Sequence, residues 1–238
     1  MSIETIPDAE TQRASLEELG DLYRAAAPID SRPENVAIPD LCDYGLDVIE
    51  LLGKGGMGAV YRARQHHPAR EVAVKVLSCT GPYDGEHRER FEREIHALSC
   101  LDSPYVVPIY GTGTTSEGLP FYVMELIQGV PLEDYAEHCQ MTVRERLVPF
   151  VKICEGVQAA HRLAIIHRDL KPANVLVDNH GRPRILDLGL AKFIHGSPQN
   201  WATISQISQL MGTPAFMAPE QFHTDADVVD TRVDCYSL

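Results

Sequence analysis

The sequence predicts an α+β fold of two lobes, a small antiparallel β-sheet lobe with one helix and a larger, mainly helical lobe. Short apolar segments typical of strands are concentrated between residues 46 and 125. Beyond residue 132, apolar residues recur mostly at the longer spacing of helices. Residues 127–131 contain a glycine and a proline and separate the two patterns, so we expect a hinge there.

Composition and charge exclude several classes of protein. Of the 238 residues, 44% are hydrophobic and 23% are charged, which is typical of a globular protein. A net charge of −13 disfavours nucleic acid or an anionic membrane as the main partner. No segment approaches the roughly 20 apolar residues that cross a bilayer, so we expect no membrane segment within this chain. Six scattered cysteines without a Cys-x-x-Cys pair predict reduced thiols and a cytoplasmic location.

The first 45 residues are expected to form an acidic leader that precedes the two lobes, residues 46–127 and 128–238. Residues 1–47 include 11 acidic and 3 basic residues, and several prolines interrupt the leader. Residues 12–27 have the apolar spacing of one short helix. The sequence leaves two interpretations open: a flexible tail with a transient helix, or a helix that docks on the domain.

A glycine turn joins the first two predicted strands. Residues 48–52 lead into Gly53, Gly55 and Gly58, and strand-like residues 60–63 follow. Dinucleotide-binding folds use the same Gly-x-Gly-x-x-Gly spacing, but there the glycines begin a helix. The Gly-Lys-Ser/Thr ending of a Walker loop is missing. The pattern therefore predicts a hairpin whose bare backbone amides can lie over phosphates.

The third predicted strand, residues 71–77, places a lysine beneath that hairpin. Alternation puts Val72, Val74 and Val76 on one face and Ala73, Lys75 and Leu77 on the other, under the glycine turn. This context favours a phosphate-binding role for Lys75.

The remaining elements follow in order along the chain. A charged helix is expected over residues 85–101, and Glu94 on it is the best candidate to reach Lys75. Strands are expected at residues 105–110 and 121–125. A helix then covers 132–138, and a longer one begins with the capping box Thr142 to Glu145 and extends to about residue 161.

Residues 167–174 place a carboxylate, an ammonium and a carboxamide close together. The Asp169 carboxylate can accept a hydroxyl proton, the Lys171 ammonium can neutralise a transferring phosphate, and Asn174 can supply an oxygen to Mg²⁺. Apolar segments lie on both sides of this stretch, which argues against a merely solvated charge cluster.

In order and spacing, these motifs resemble the protein-kinase family, specifically the bacterial serine/threonine kinases, over residues 46–238. The resemblance includes Asp187-Leu188-Gly189 and Ala218-Pro219-Glu220. It implies a two-lobed protein-kinase-like fold and an ATP- and Mg²⁺-dependent transfer of the γ-phosphate to Ser/Thr hydroxyls of protein substrates.

The resemblance also implies individual roles. Asp169 would be the catalytic base, Lys171 is typical of serine/threonine kinases, and Lys75 would hold phosphates with Glu94 as its partner. Asn174 and Asp187 would hold Mg²⁺. The residues that would contact ATP are Leu52, Gly53, Lys54, Gly55, Gly56, Met57, Gly58, Ala59, Val60, Ala73, Lys75, Met124, Glu125, Ile127 and Leu176.

A regulatory segment is implied between Asp187 and Glu220. Arg168 would bind a phosphate on this segment and order it. The expected acceptors are Ser205 and Ser208, with Thr203 behind them, whereas Thr213 would contact the substrate region and Asp169. Self-association for autophosphorylation is a further expectation.

Three positions depart from the family pattern. Leu188 replaces the commoner Phe, and Ala164 stands where many relatives have Gly. If Ala164 must be left-handed, the cost is on the order of 1 kcal/mol. The sequence stops at Leu238, where Asp234 begins the helix on which the larger lobe is built, so we expect an incomplete lobe.

That incompleteness motivates a second hypothesis, a truncated, non-catalytic fragment that at most binds nucleotide or a partner protein. A small-molecule phosphotransferase of similar fold is disfavoured by the segment 218–220 and the multi-glycine loop.

Overall fold

The structure is a computed structural model that describes residues 38–55, 58–78, 85–188, 214–222 and 229–238. Several predictions lie outside these residues. They concern the candidate helix at residues 12–27 and the site residues Gly56, Met57, Thr203, Ser205, Ser208 and Thr213.

The first lobe is built on an antiparallel sheet of five strands in the order β1-β2-β3-β5-β4. The strands are β1 (Leu46–Gly55), β2 (Gly58–Gln65), β3 (Arg70–Leu77), β4 (Ile109–Thr114) and β5 (Pro120–Glu125). The glycine turn joins β1 and β2 as the sequence predicts, with Gly55 paired to Gly58.

The strand predicted at residues 105–110 is wrong in position, because the structure begins β4 only at Ile109. The preceding residues bond to the second lobe instead. The Ile185 N–H donates to the Tyr105 carbonyl at 2.7 Å, and the Val107 N–H donates to the Ile185 carbonyl at 3.0 Å. Residues 105–107 therefore join the two lobes, a tertiary pairing that local alternation does not report.

The predicted alternation of β3 is confirmed. Ala73 and Leu77 belong to the main core, whereas Val72, Val74 and Val76 belong to a second apolar cluster on the other face of the sheet. Leu41 is 1% exposed and packs in that second cluster, so the packed structure extends ahead of residue 46.

A single helix, α1 (Gly85–Ser99), follows β3. Its residues Phe91, Ile95 and Leu98 are buried in the main core, as their helical spacing predicts. The helix ends two residues before the predicted boundary.

The second lobe combines helices with a small antiparallel sheet. The described helices are α2 (Leu132–His138), α3 (Val143–Arg162) and α4 (Arg232–Ser237). The strands β6 (Gly129–Pro131), β7 (Val175–Asp178) and β8 (Pro183–Ile185) lie in that order. The Thr142 capping box at the start of α3 is confirmed, since Thr142 and Glu145 each accept a hydrogen bond from the backbone of the other. Among the described residues, no helix is both long and apolar enough to span a membrane.

Arg184 on β8 links the two lobes next to the hinge. Its guanidinium is buried and pairs with the Glu125 carboxylate at the end of β5. The same guanidinium lies 3.7 Å from Asp178 Oδ2 at the end of β7. A buried cation needs such partners, so this cluster restrains the connection between β5 and β6.

The end of α3 shows the strain that the sequence suggested. Ala164 has φ +57°, in the left-handed region that an L-residue with a Cβ rarely adopts. Its N–H donates to the His161 carbonyl at 2.9 Å, and the Ile165 N–H donates to the Ala160 carbonyl at 3.1 Å. These bonds close the helix and hold the residue in that conformation.

We expect Ala164→Gly to raise the free energy of unfolding by about 1 kcal/mol, because glycine adopts a positive φ without steric cost. The matched control is Ala159→Gly inside α3, which should lower the same quantity by a similar amount. Urea unfolding of the two variants and the parent measures both effects. Destabilisation by Ala164→Gly would contradict the assignment.

Candidate active site

The loop that contains Asp169 is held by a buried carboxylate on α4. Asp234 is 1% exposed, and its Oδ2 and Oδ1 accept hydrogen bonds from the N–H groups of His167 at 2.8 Å and Arg168 at 2.9 Å. His161 Nε2 donates to the same carboxylate at 2.7 Å. The backbone of the loop is therefore anchored from α4 and from the end of α3.

Both residues that precede Asp169 have perturbed acid–base properties. Burial lowers the pKa of His167, although the charges of Asp234 and Asp169 oppose this effect. Burial also lowers the pKa of Arg168, opposed by the carboxylates of Glu94 and Asp234. Arg168 itself has φ +67°, a second left-handed residue at this site.

The structure brings Asp169, Lys171 and Asn174 together as the sequence predicts. The Lys171 ammonium lies 2.9 Å from Asp169 Oδ2. Asn174 Nδ2 donates to Asp169 Oδ2 at 3.0 Å and to the Asp169 carbonyl at 2.6 Å. The short 3-10 helix Pro172–Asn174 makes this return contact possible. The carboxylate is thus oriented from two sides while remaining partly accessible.

A second charged cluster forms where β3, β5 and the end of β8 meet. Lys75 Nζ lies 2.5 Å from Asp187 Oδ2, and the Tyr122 hydroxyl donates to Asp187 Oδ1. Burial tends to raise the pKa of Asp187, but the Lys75 charge and both hydrogen bonds outweigh it, so this pKa is lowered. Burial and the neighbouring Asp187 charge raise the pKa of Tyr122 well above its usual value.

Lys75 pairs with Asp187 in this structure, and its predicted pairing with Glu94 stays a prediction. A carboxylate as buried as Asp187 requires a compensating cation, and Lys75 supplies it. The charge of the Glu94 carboxylate acts on Arg168, where it opposes the effect of burial on the pKa.

The predicted nucleotide contacts come from both lobes, and we expect them to line one cleft. Ala73 and Met124 are buried opposite each other on β3 and β5, and Leu176 lies on β7 in the second lobe.

The glycine hairpin above the cleft is exposed from Gly53 to Gly55. Gly58 has φ +137°, and a Cβ on it would lie 2.0 Å from the Val76 carbonyl oxygen. Only glycine fits there, whereas a Cβ on Gly53 or Gly55 would meet nothing within 4 Å.

Asn174 and Asp187 offer oxygen donors for a hard cation. The Leu186 N–H donates to the Asn174 carbonyl at 2.9 Å, which places the two residues on adjacent chain segments. Asn174 uses its Nδ2 toward Asp169 and keeps its oxygen available. The described residues contain no cluster of three or more His, Cys, Asp or Glu with metal-binding geometry. Carboxylate and carboxamide oxygens such as these are the donor types that hard cations prefer.

Sequence reasoning missed two residues that complete the site, Tyr122 and Gln221. Both are buried polar residues that bond to predicted site residues from elements distant in sequence. The sequence gives little sign of either role, because a tyrosine in a strand or a glutamine after Glu220 does not by itself indicate a functional residue.

The chain is similar to proteins of known family. A family model described as "Protein kinase domain" matches residues 46–238. The chain belongs to the protein kinase family. A curated kinase of Bifidobacterium longum, "Probable serine/threonine-protein kinase pknA2", is 35% identical over 195 residues, which cover 80% of this chain and 25% of that protein. "Serine/threonine-protein kinase PknB" of Mycobacterium tuberculosis is 36% identical over 194 residues, covering 79% and 30%.

The fold of the solved kinases agrees with this membership. The crystal structure of the Mycobacterium tuberculosis PknI kinase domain superimposes with a TM-score of 0.61 at 26% identity, covering 81% of this chain and 70% of that one. The protein-kinase-like α+β fold is therefore confirmed. The chain spans about a quarter to a third of the length of the curated kinases that it matches.

The lowered pKa of Asp187 predicts a pH-dependent contribution to stability. A carboxyl whose pKa is lower in the folded protein stabilises it above the unfolded value, and this contribution is lost as the pH falls through the folded value. The ordinary value is 3.8. We expect Asp187→Asn to destabilise the protein by on the order of 1 kcal/mol at pH 7. The difference from the parent should shrink below about pH 4.

Urea unfolding at pH 7, 5, 4 and 3 measures this difference. The control is Asp43→Asn, which makes the same change at an exposed position. A difference between parent and Asp187→Asn that stays constant, or grows, as the pH falls would show that the Asp187 charge does not stabilise the fold.

Proposed function

We propose that this protein is an ATP- and Mg²⁺-dependent protein kinase that transfers the γ-phosphate to Ser and Thr hydroxyls of protein substrates. The observation that carries the proposal is the Asp169 carboxylate, fixed between Lys171 and Asn174 at the mouth of the cleft. A carboxylate held in this way can accept a proton while the neighbouring ammonium neutralises charge on a phosphate.

In the proposed mechanism, Asp169 accepts the proton of the attacking hydroxyl. Lys171 stabilises the negative charge that spreads over the transferring phosphoryl oxygens. Lys75 exchanges its contact with Asp187 for the α- and β-phosphates, and Glu94 is proposed as its helix partner in that state. The chemistry requires positioning and charge neutralisation rather than a covalent intermediate.

Asn174 and Asp187 are the proposed Mg²⁺ ligands. Both present oxygen atoms, and the lowered pKa of Asp187 keeps its carboxylate ionised at neutral pH. When bound, Mg²⁺ neutralises phosphate charge.

The proposed ATP site is the cleft expected between the two lobes. The glycine turn of Gly53, Gly55 and Gly58 would cover the phosphates. Val60 and Ala73 would form the roof of the adenine pocket and Leu176 its floor, and Met124 would limit the depth of the pocket. The Glu125 carbonyl and the Ile127 N–H would bond to the adenine edge, as in the family pattern.

Partners and regulation are parts of the same proposal. Protein Ser/Thr substrates, self-association for autophosphorylation, and an Arg168 that binds a phosphate on Thr203, Ser205 or Ser208 follow from the family pattern, as does a substrate-side role for Thr213. A cytoplasmic location is supported by the described cysteines, Cys42, Cys100, Cys139, Cys154 and Cys235, all of which are free thiols. The non-catalytic alternative is not favoured, because the relatives are named as serine/threonine-protein kinases.

We expect Asp169→Asn to reduce kcat for peptide phosphorylation by roughly 100- to 10,000-fold, because the carboxamide cannot accept the hydroxyl proton. The assay measures phosphate transfer from labelled ATP to mixed peptide libraries that contain Ser and Thr, with a Tyr library for comparison. Lys75→Met should also abolish transfer. The control is Asp43→Asn, at an exposed position remote from the site. Full activity of Asp169→Asn would refute the assignment of the base.

We expect chelation by EDTA to abolish transfer and added Mg²⁺ to restore it. Asn174→Ala should raise the Mg²⁺ concentration for half-maximal activity by about tenfold or more, because it removes a ligand oxygen. Asn179→Ala, in the turn after β7, is the matched control. An unchanged Mg²⁺ requirement in Asn174→Ala would remove this residue from the proposed metal site.

A further inference from the structure

The backbone of Arg168 is held by side chains at both of its polar groups. Its φ of +67° is a conformation that residues with a Cβ rarely adopt without support. The N–H donates to Asp234 Oδ1 at 2.9 Å, and the carbonyl accepts a hydrogen bond from Gln221 Nε2 at 2.7 Å. The two partner residues lie 66 and 53 positions away in sequence.

Gln221 uses both ends of its carboxamide. Its Oε1 accepts a hydrogen bond from the Ala218 N–H at 2.9 Å, and its Nε2 donates to the Arg168 carbonyl at 2.7 Å. The backbone N–H of Gln221 also donates to the Ala218 carbonyl at 2.9 Å. The side chain is 7% exposed, so water does not readily replace these bonds. Among side chains of this length that are uncharged at neutral pH, only a carboxamide offers a donor and an acceptor together.

The Arg168 carbonyl belongs to the peptide that immediately precedes Asp169. Fixing this carbonyl fixes the plane of the peptide from which the Asp169 side chain emerges. Asn174 holds Asp169 from the other side, through the carboxylate and the following carbonyl. Gln221 thus supplies the restraint on the near side of Asp169 that Asn174 supplies on the far side.

We propose that Gln221 is a positioning residue that orients Asp169 by fixing the Arg168 carbonyl, and so couples the segment 218–222 to the catalytic loop. The inference rests on the proposed kinase function. Within the part of the chain that the structure describes, the hydrogen bonds of Gln221 are to Ala218 and Arg168, so it acts on the rate of transfer and not on ATP binding.

The test is Gln221→Glu, which changes one group at nearly constant shape. An ionised Glu still accepts from the Ala218 N–H but places an anionic oxygen against the Arg168 carbonyl. We expect kcat to fall about tenfold at pH 8, with KM for ATP within about twofold of the parent. Burial beside a carbonyl oxygen raises the pKa of such a carboxyl. Acid therefore protonates it, and the neutral carboxyl donates to Arg168 again.

The decisive quantity is the ratio of variant to parent kcat at each pH between 8 and 5.5. The ratio should rise toward one as the pH falls. Gln158→Glu is the matched control, since Gln158 is exposed on α3 and accepts one hydrogen bond from Arg162 at 3.1 Å. Its ratio should remain near one at every pH. Gln221→Met, which cannot make either bond, should be slow at every pH without rescue by acid.

Three results for Gln221→Glu would overturn the positioning role, and one result for the parent would refute the proposed kinase function. Parent-like kcat for Gln221→Glu across the pH range would overturn the positioning role while leaving the kinase function intact. A rise in KM for ATP with unchanged kcat, or a loss of kcat that follows only a lowered thermal midpoint and shows no acid rescue, would also overturn it. A parent without transferase activity would refute the proposed function itself, and the positioning role with it.

Discussion

The buried Asp234 carboxylate is the interaction on which the site depends. It accepts hydrogen bonds from the backbones of His167 and Arg168 and from His161. A carboxylate that is 1% exposed is costly unless it is fully bonded, so the loop and the helix start require one another. The helix that carries it also reaches the segment beyond the loop, since Ser237 Oγ donates to the Phe216 carbonyl at 2.7 Å. One short helix therefore organises both sides of the proposed catalytic base.

Strand β8 and the residues just after it connect this region to the first lobe. Ile185 exchanges backbone hydrogen bonds with Tyr105 and Val107, and Arg184 pairs with Glu125 at the end of β5. Asp187 follows the strand directly and meets Lys75. Three contacts between the lobes thus originate within four residues, so the position of Asp187 is set by strand pairing and buried charge together. Asp187 itself has φ +58°, in the left-handed region of the backbone.

The sequence pattern correctly predicted those features that depend on residues close to one another in sequence. The alternation of β3 placed Lys75 on the correct face, and the capping box located the start of α3. Residue types and their spacing identified Asp169, Lys171 and Asn174 as one cluster. Pattern was insufficient where a partner is distant in sequence: residues 105–107 bond to β8, and Lys75 pairs with Asp187. The role of Gln221 was not predicted for the same reason. The residues near it in sequence do not distinguish a buried glutamine that connects two segments from an exposed glutamine.

The charged residues of the cleft indicate how phosphate binding and metal binding would affect each other. Each lysine at the site already neutralises a carboxylate, Lys75 with Asp187 and Lys171 with Asp169. If phosphate oxygens draw the two ammonium groups away, both carboxylates lose their cationic partners, although Tyr122 and Asn174 still donate to them. Asp187 would then require a cation, which a metal ion beside Asn174 would supply. Phosphate and metal should therefore bind with positive coupling, because each would remove the electrostatic cost that the other creates. We expect the same exchange to return Lys75 to Asp187 when the site empties.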